Sequence, residues 1–438
     1  MDPLLLGAII GITLILLLLS GIPVAFALGI TAMIFITIDE GLGGFGVLAE
    51  TLFGALDEFA LLSIPMFLLM GAAIAASRAG ADLYEAIDRW LYKVPGGLLI
   101  SNIGACGIFA ALTGSSPATC AAIGKMGIPE MTDRGYPASL ATGAIAAGGT
   151  LGILIPPSIT MIVYGIATET SIGRLFMAGM LPGLMLVILF MLWGWVYAYA
   201  KGYHFNEPGK HFSLKEKLII LPKIIPFLAV IATVLWALYG GVATPSEASG
   251  VGALFCILLV IIIYRVWQPK SLWEIVSSAT RESVMLMMII GMAALFSYMM
   301  SSLYITQGIA EWIVGLSVNK WVLLLFINIF LLVAGFFLPP VAVILMTVPT
   351  LVPIITNAGF DPIWFGVVLT LNMEIGLITP PVGLNLYVIN GIVPEVPLKT
   401  ILWGALPFML CLVLGIILLV LFPQIALWLP EYIMGNAT

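Results

Sequence analysis

The sequence predicts an all-α polytopic membrane protein, built as an inverted repeat of five crossings plus one re-entrant hairpin per half. Three observations predict it. Of 438 residues, 62% are hydrophobic and 9% charged, with a mean hydropathy of +1.18; soluble proteins carry about 25% charged residues. Apolar stretches near the ~20 residues that span a bilayer recur along the whole chain. A proline pair inside an apolar segment occurs twice, as Pro156-Pro157 and Pro380-Pro381, at matching places in the two halves. Proline lacks a backbone N–H and clashes with the preceding turn, so each pair must break its helix. Broken backbone at membrane depth is tolerated only where protein buries it or it lines a cavity. Two such breaks in corresponding positions point to the binding site of a secondary transporter.

The segments are continuously apolar rather than alternating, which argues against a β-barrel. The net charge of −6 is spread over loops and implies no nucleic-acid partner. Cys106, Cys120, Cys256 and Cys411 fall in apolar stretches without metal-ligand spacing and read as small hydrophobes in packed helices. His204 and His211 lie in a polar central loop with no metal box around them. Met1-Asp2-Pro3 carries no basic residue, so Leu4 onward reads as a first membrane helix rather than a cleaved signal.

In order, crossings are expected at 4–20, 22–38 and 61–77. A hairpin follows at 97–113 and 117–128, then a proline-broken crossing at 138–168 and a long one at 174–200. Lys201 to Lys223 is the most polar stretch. The pattern then recurs, with crossings at 219–238, 247–266 and 284–303, a hairpin at 321–337 and 341–356, a broken crossing at 362–390 and a last one at 401–422. The halves are therefore 1–205 and 206–438, with scaffold helices at 4–38 and 219–266, hairpins at 97–128 and 321–356, and broken helices at 138–168 and 362–390. Short amphipathic pieces at 82–93 and 307–316 precede the hairpins. Their Trp and Tyr favour the membrane interface, as arms linking a fixed part to a moving part.

At an offset of 224, Pro129, Thr132, Gly135, Gly152, Pro156 and Pro157 meet Pro353, Thr356, Gly359, Gly376, Pro380 and Pro381. Five of these six identities are Gly or Pro, the residues that set backbone geometry. Orientation follows from Lys and Arg in short loops. Lys201, Lys210, Lys215, Lys217 and Lys223 make the central loop cytoplasmic, which puts both termini in the periplasm. The 39–60 loop, expected outside, has five acids and no Lys or Arg. The 78–95 and 267–283 loops, expected inside, carry Arg78, Arg89 and Lys93, and Lys270 and Arg281. Arg174 and Lys320 fit this less well. Five crossings per half turn the second half upside down, so the hairpins enter from opposite faces and their tips meet the breaks near the midplane.

The first tip reads Thr113-Gly114-Ser115-Ser116-Pro117-Ala-Thr119. Hydroxyls and freed carbonyls there can coordinate a hard cation such as Na⁺, beside the unwound 154–158 segment. The second tip, Gly335-Phe-Phe-Leu-Pro339-Pro340, is drier. Its oxygens would come from backbone carbonyls, with Thr379, Asn385 and Thr347 as side-chain contributors. Glu374 lies two residues before Gly376; an intramembrane acid is functional by default and is assigned to ion binding or its supporting network. Glu247, just after a turn, reads as an N-terminal cap. No Gly-x-Ser-x-Gly, His-Glu-x-x-His or Walker A motif is present, so the chain is not expected to be an enzyme and carries no ATP motor of its own.

With these motifs in place, the sequence resembles the large membrane subunit, DctM type, of the tripartite ATP-independent periplasmic (TRAP) transporters. The resemblance rests on Gly114-Ser-Ser-Pro117, Gly152-Ile-Leu-Ile-Pro-Pro157, Ala243-Thr-Pro-Ser-Glu247-Ala and the run Gly359 to Gly391, with Asn372-Met-Glu-Ile-Gly376 and Thr379-Pro-Pro-Val-Gly-Leu-Asn385. It covers essentially the whole chain. It implies an elevator-type carrier of a wider ion-transporter fold in the bacterial inner membrane. It also implies Na⁺ coupling, an organic-anion cargo (a carboxylate or sialic-acid-like), and two partners: a separate small four-helix membrane (Q) subunit and a periplasmic substrate-binding protein. The ion sites it implies match Thr113, Gly114, Ser115, Ser116, Gly149, Thr150, Gly152 and Pro156 on one side, and Gly335, Pro339, Gly376 and Thr379 on the other. Substrate between the tips would meet Ser116, Pro157, Ser158, Pro340, Pro381 and Asn385. Many relatives carry an acid at the second tip, where this chain has Pro339. The alternative is a stand-alone sodium/dicarboxylate symporter of the same wider fold; an ion channel is disfavoured because continuous pore-lining polarity is missing.

Overall fold

The computed structural model describes residues 2–92, 94, 96–202, 212–315 and 318–435. Lys93, His204, Lys210, His211, the boundary at 205/206 and the last residue of the 307–316 arm lie outside them. Among the described residues there are twenty α-helices and no strand.

Several helices begin where the sequence supplies a cap. In α1 (Pro3–Leu19) the Asp2 carboxylate accepts from the Leu4 N–H at 3.0 Å, and Pro3 fills the first position, where no N–H is needed. After α2 (Val24–Glu40), the 39–60 stretch is not the loop expected from its acids: it contains α3 (Phe45–Leu56). Leu52 and Leu56 pack beside Gly291, and this contact along a later helix holds the segment helical despite Glu50, Asp57 and Glu58. Helix α4 (Ser63–Ala75) follows at a bend of 61°. Then come the arm α5 (Ala79–Leu91), the pair α6 (Gly97–Thr113) and α7 (Ser116–Asp133), α8 (Ala138–Thr150), α9 (Ile159–Ala167) and α10 (Ile172–Lys201).

The second half starts with two capping boxes, Ser213 with Glu216 on α11 (Leu214–Tyr239) and Thr244 with Glu247 on α12 (Pro245–Ile262). Glu247 is thus a helix-start residue, as read. The 267–283 stretch is again not a loop: α13 (Pro269–Ser302) runs 34 residues. At 1.5 Å per residue that is about 50 Å, against a hydrocarbon core of about 30 Å, so its charged first turns can project beyond the apolar layer. The arm α14 (Ile305–Gly315), the pair α15 (Lys320–Phe337) and α16 (Pro340–Asn357), α17 (Pro362–Leu377), α18 (Leu384–Ile392) and α19 (Leu398–Leu421) follow. A final helix, α20 (Gln424–Met434), was not anticipated: Trp428, Pro430 and Glu431 dilute its apolar pattern, and it is ordered by packing along α10.

Among the described residues, seven helices are long and apolar enough to cross a membrane, or eight if the bent α3/α4 pair is one span. The sequence suggested ten crossings. The difference arises because α1 and α2 have 17 residues each, α4 has 13 and the proline pairs cut two further crossings into short pieces, while α15 and α16 qualify by length. Length and composition do not separate a hairpin arm from a crossing.

The inner helices α6 to α10 and α15 to α19 pack around α8 and α17. Where α8 crosses α19, a Cβ on Gly143 would run into the Gly404 backbone and one on Gly404 into Ser139, so only glycine permits this approach. Outside them, α4 packs on α12 and α13 packs on α2, while α4 also touches α6 and α13 touches α16. Ile10, Leu14, Leu28, Phe35, Leu295 and Met299 form a hydrophobic cluster separate from the main core. Polar contacts gather at two ends. At one, Arg89 donates to Glu216 O (3.0 Å), Lys217 to Trp90 O (3.4 Å), and Lys223 pairs with Asp82 (3.2 Å). At the other, Ser246 donates to Phe59 O (2.9 Å) and Arg174 to Met434 O (3.2 Å).

Candidate functional site

The turn between α6 and α7 lies against the break between α8 and α9. Gly114, at φ +60°, closes α6, and a Cβ there would stand 2.6 Å from Pro157 O. A Cβ on Gly152 would stand 2.7 Å from Ser115 C and 2.8 Å from Ser115 O. Any larger residue would force the two backbones apart. Real Cβ atoms do not approach so closely, so glycine is required for tip and break to meet directly.

Oxygens converge at this junction. Thr113 Oγ1 lies 3.0 Å from Thr119 Oγ1, and the Thr119 hydroxyl donates to Ser115 O at 2.9 Å. The Ser116 hydroxyl donates to Thr150 O at 3.3 Å across the junction. Thr113, Ser116, Thr119 and Thr150 are all buried. Gly149 completes the wall, its Cα facing the Cys120 sulfur and Ser116 O too closely for a side chain. Pro156 and Pro157 are buried and joined by a cis peptide bond. Ser158 is also buried, but its hydroxyl is committed to the start of α9: it accepts from Met161 N (3.2 Å) and donates to Ile153 O.

The turn between α15 and α16 lies against the break between α17 and α18. A Cβ on Gly376 would stand 2.5 Å from Gly335 O, and Val382 N–H donates to Phe336 O at 3.2 Å. The Pro380–Pro381 bond is cis as well. Here the break is open: Pro339, Pro380 and Pro381 are exposed, and Pro340 opens α16 half-buried. The Thr379 hydroxyl, just past the end of α17, donates back to Ile375 O in its last turn at 2.6 Å. Thr347 does not reach this tip; its hydroxyl stays on Val343 O within α16.

Asn385 lies elsewhere than at the second tip. Its Nδ2 donates to Ala146 O on α8 at 3.0 Å, tying the start of α18 to the helix that carries the first break. Its Oδ1 is buried without a partner, as are both carboxylate oxygens of the fully buried Glu374. Two residues before it, the Asn372 amide donates to Asn328 Oδ1 on α15.

These positions fit a hard cation held by oxygen alone. Among the described residues no three His, Cys, Asp or Glu side chains converge. The first junction offers the Thr113, Ser116 and Thr119 hydroxyls and the Ser115 and Thr150 carbonyls, whereas the second offers chiefly the Gly335 carbonyl. Sequence reasoning singled out Thr113 to Ser116 but not Thr119 or Asn328. Thr119 stands in the quoted tip, six residues after Thr113, a spacing that means nothing until the turn folds.

The family model described as "Tripartite ATP-independent periplasmic transporter, DctM component" matches residues 11–425. The chain is 39% identical over 387 residues to the C4-dicarboxylate TRAP transporter large permease protein DctM of Pseudomonas aeruginosa, covering 88% of this chain and 90% of that protein. It is 34% identical to the isethionate TRAP transporter permease protein DctMQ of Oleidesulfovibrio alaskensis, over 86% of this chain and 59% of that longer protein. In fold it is similar to the crystal structure of the YdaH transporter of Alcanivorax borkumensis, with a TM-score of 0.61 and 17% identity, covering 90% of this chain and 91% of the other.

Proposed function

The chain belongs to the DctM component family of the tripartite ATP-independent periplasmic transporters, which are transport proteins and not enzymes, and from that premise we propose that it is the large membrane permease importing a small organic anion with Na⁺. The observation that carries this reading is the seating of both tips on both breaks: Ser115 against Gly152 and Gly335 against Gly376. Backbone freed from helical bonding, beside hydroxyls and a second turn, is what a membrane protein needs to hold an ion and its cargo away from lipid.

In this reading Na⁺ is held by the Thr113, Ser116 and Thr119 hydroxyls and the Ser115 and Thr150 carbonyls, and a second ion by the Gly335 carbonyl with backbone of the 376–379 segment. Each ion supplies positive charge that offsets the cargo. The two halves form an inverted repeat with both termini periplasmic, and the inner helices slide as an elevator against the outer ones. The separate cluster of α1, α2 and α13 supports a fixed body, and α4 and α13, which touch both groups, would form the sliding surface. Asn385 on Ala146 O keeps both breaks in one moving unit. One net positive charge carried inward gains about 2.3 kcal/mol per 100 mV, which supports roughly 50-fold accumulation.

The cargo class rests on the anions in the relatives' names, a C4-dicarboxylate and isethionate. The tripartite nature of the family supports two partners in this reading, a small membrane subunit and a periplasmic binding protein. Uptake of a labelled C4-dicarboxylate by the complex in proteoliposomes, with its binding protein, should require an inward Na⁺ gradient. Equal uptake with choline replacing Na⁺ sinks the coupling.

A further inference from the structure

A cavity of about 410 Å³ lies between the end of α4, the start of α5 and the face of α7 that begins at the first tip. Its walls include Ser77, Arg78, Phe109, Ala118, Ala122 and Lys125. Ala118 is two residues past Ser116, so the cavity runs from the polar end of the molecule up to the tip. At the matching place in the second half, a cavity of about 460 Å³ lies between α13, α14, α15 and α16. That one is lined by Trp312, Phe326, Phe330 and Met346, among others, and has no charged residue. The chain thus places two cations in one arm-side cavity and none in the other.

Arg78 and Lys125 are surplus cations. Neither makes an ion pair among the described residues. The acid one turn after Arg78, Asp82, is taken by Lys223 at 3.2 Å and by the Tyr264 hydroxyl at 2.9 Å. Glu85 is engaged by Arg89, and Glu130 by Arg134. Uncompensated positive charge in a cleft with small apolar walls focuses the field and concentrates anions. The alanines at 118, 121 and 122 leave room for a solute and add no competing polar group.

We propose that this cavity is an anion-binding station, where Arg78 and Lys125 hold a small carboxylate-bearing solute beside the first tip. The identity of the solute as cargo rests on the permease reading above; the charge of the cavity does not. The test uses the full chain in nanodiscs, with Ala122→Cys reporting from the cavity wall and the chain without it as baseline. An anionic methanethiosulfonate should label this cysteine at least about fivefold faster than a cationic analogue of similar size, and millimolar succinate should slow the labelling. Arg78→Gln with Lys125→Gln should erase both effects, while Arg78→Lys should keep them, separating lost charge from lost fold. Equal rates for the two reagents, a preference that survives in the double variant, or no slowing by succinate overturns the station. If the charge effects appear and vanish as expected while the reconstituted complex moves no organic anion, the station stands and the cargo assignment falls.

Discussion

Thr119 shows how one hydroxyl can matter without standing out. It donates to Ser115 O at 2.9 Å and faces Thr113 Oγ1 at 3.0 Å, whereas Ser115 enters the same cluster through its carbonyl and its amide. Thr119→Val keeps the shape and removes an oxygen, so the Na⁺ concentration for half-maximal uptake should rise about tenfold, equivalent to about 1.4 kcal/mol. Ser115→Ala keeps the carbonyl and should change it by less than about twofold. A Na⁺ titration of uptake in proteoliposomes checks both, and the opposite ordering would put the Ser115 hydroxyl, and not that of Thr119, in the site. Ser158 teaches the reverse lesson. Its place after the proline pair suggests substrate contact, yet its hydroxyl is spent on starting α9.

At the scale of elements, the arm α5 is tied in two directions. Asp82 reaches α11 through Lys223 and the end of α12 through Tyr264, and Arg89 reaches Glu216 O. On its other face, Asp88 pairs with Arg134 at 3.6 Å, at the exit of α7. The arm therefore joins the outer helices to the first helix pair. Asp82→Asn weakens the outward tie. Because Lys223 is half-exposed and screened by solvent, the cost should be about 1–2 kcal/mol, carried mainly by the Tyr264 bond. The expected result is a slower maximal uptake with an unchanged half-saturation for cargo; a changed half-saturation with normal maximal rate would place Asp82 in binding instead. Elements were legible where local rules governed them. Asp361 caps Ile363 at 2.7 Å and Pro362 opens α17, as that short stretch dictates. Helix α3 was not legible, because its acids signal a loop and only the packing of Leu52 and Leu56 beside Gly291 outweighs them.

For the whole molecule, the two polar ends decide which segments share a face. Pro3 lies against Gly308, and Arg174 binds Met434 O, while Lys217 and Lys223 sit with the arm α5 at the other end. The lysine and arginine count predicts the lysine-rich end in the cytoplasm; on that reading, tags placed before residue 3 and after residue 435 should both be cleaved by protease added to spheroplasts, and a cysteine placed at Lys215 should stay protected from an impermeant thiol reagent. Protected tags with a reactive 215 position would reverse the orientation.

Composition by itself determined that this chain is helical and membrane-embedded, because burying so apolar a sequence leaves no other solvent for it. Glycines and prolines at fixed offsets marked both breaks, since these residues dictate backbone shape through local sterics. Motifs spread along the chain identified the family. Only the tertiary structure decided which oxygens meet: Thr119 with Thr113, Ser116 with Thr150 O, Asn385 with Ala146 O across 239 positions of sequence. It also decided that the first break is buried and the second open, and that Arg78 and Lys125 share a cavity. Contacts between distant segments depend on how whole helices pack, and no local rule of sequence encodes that.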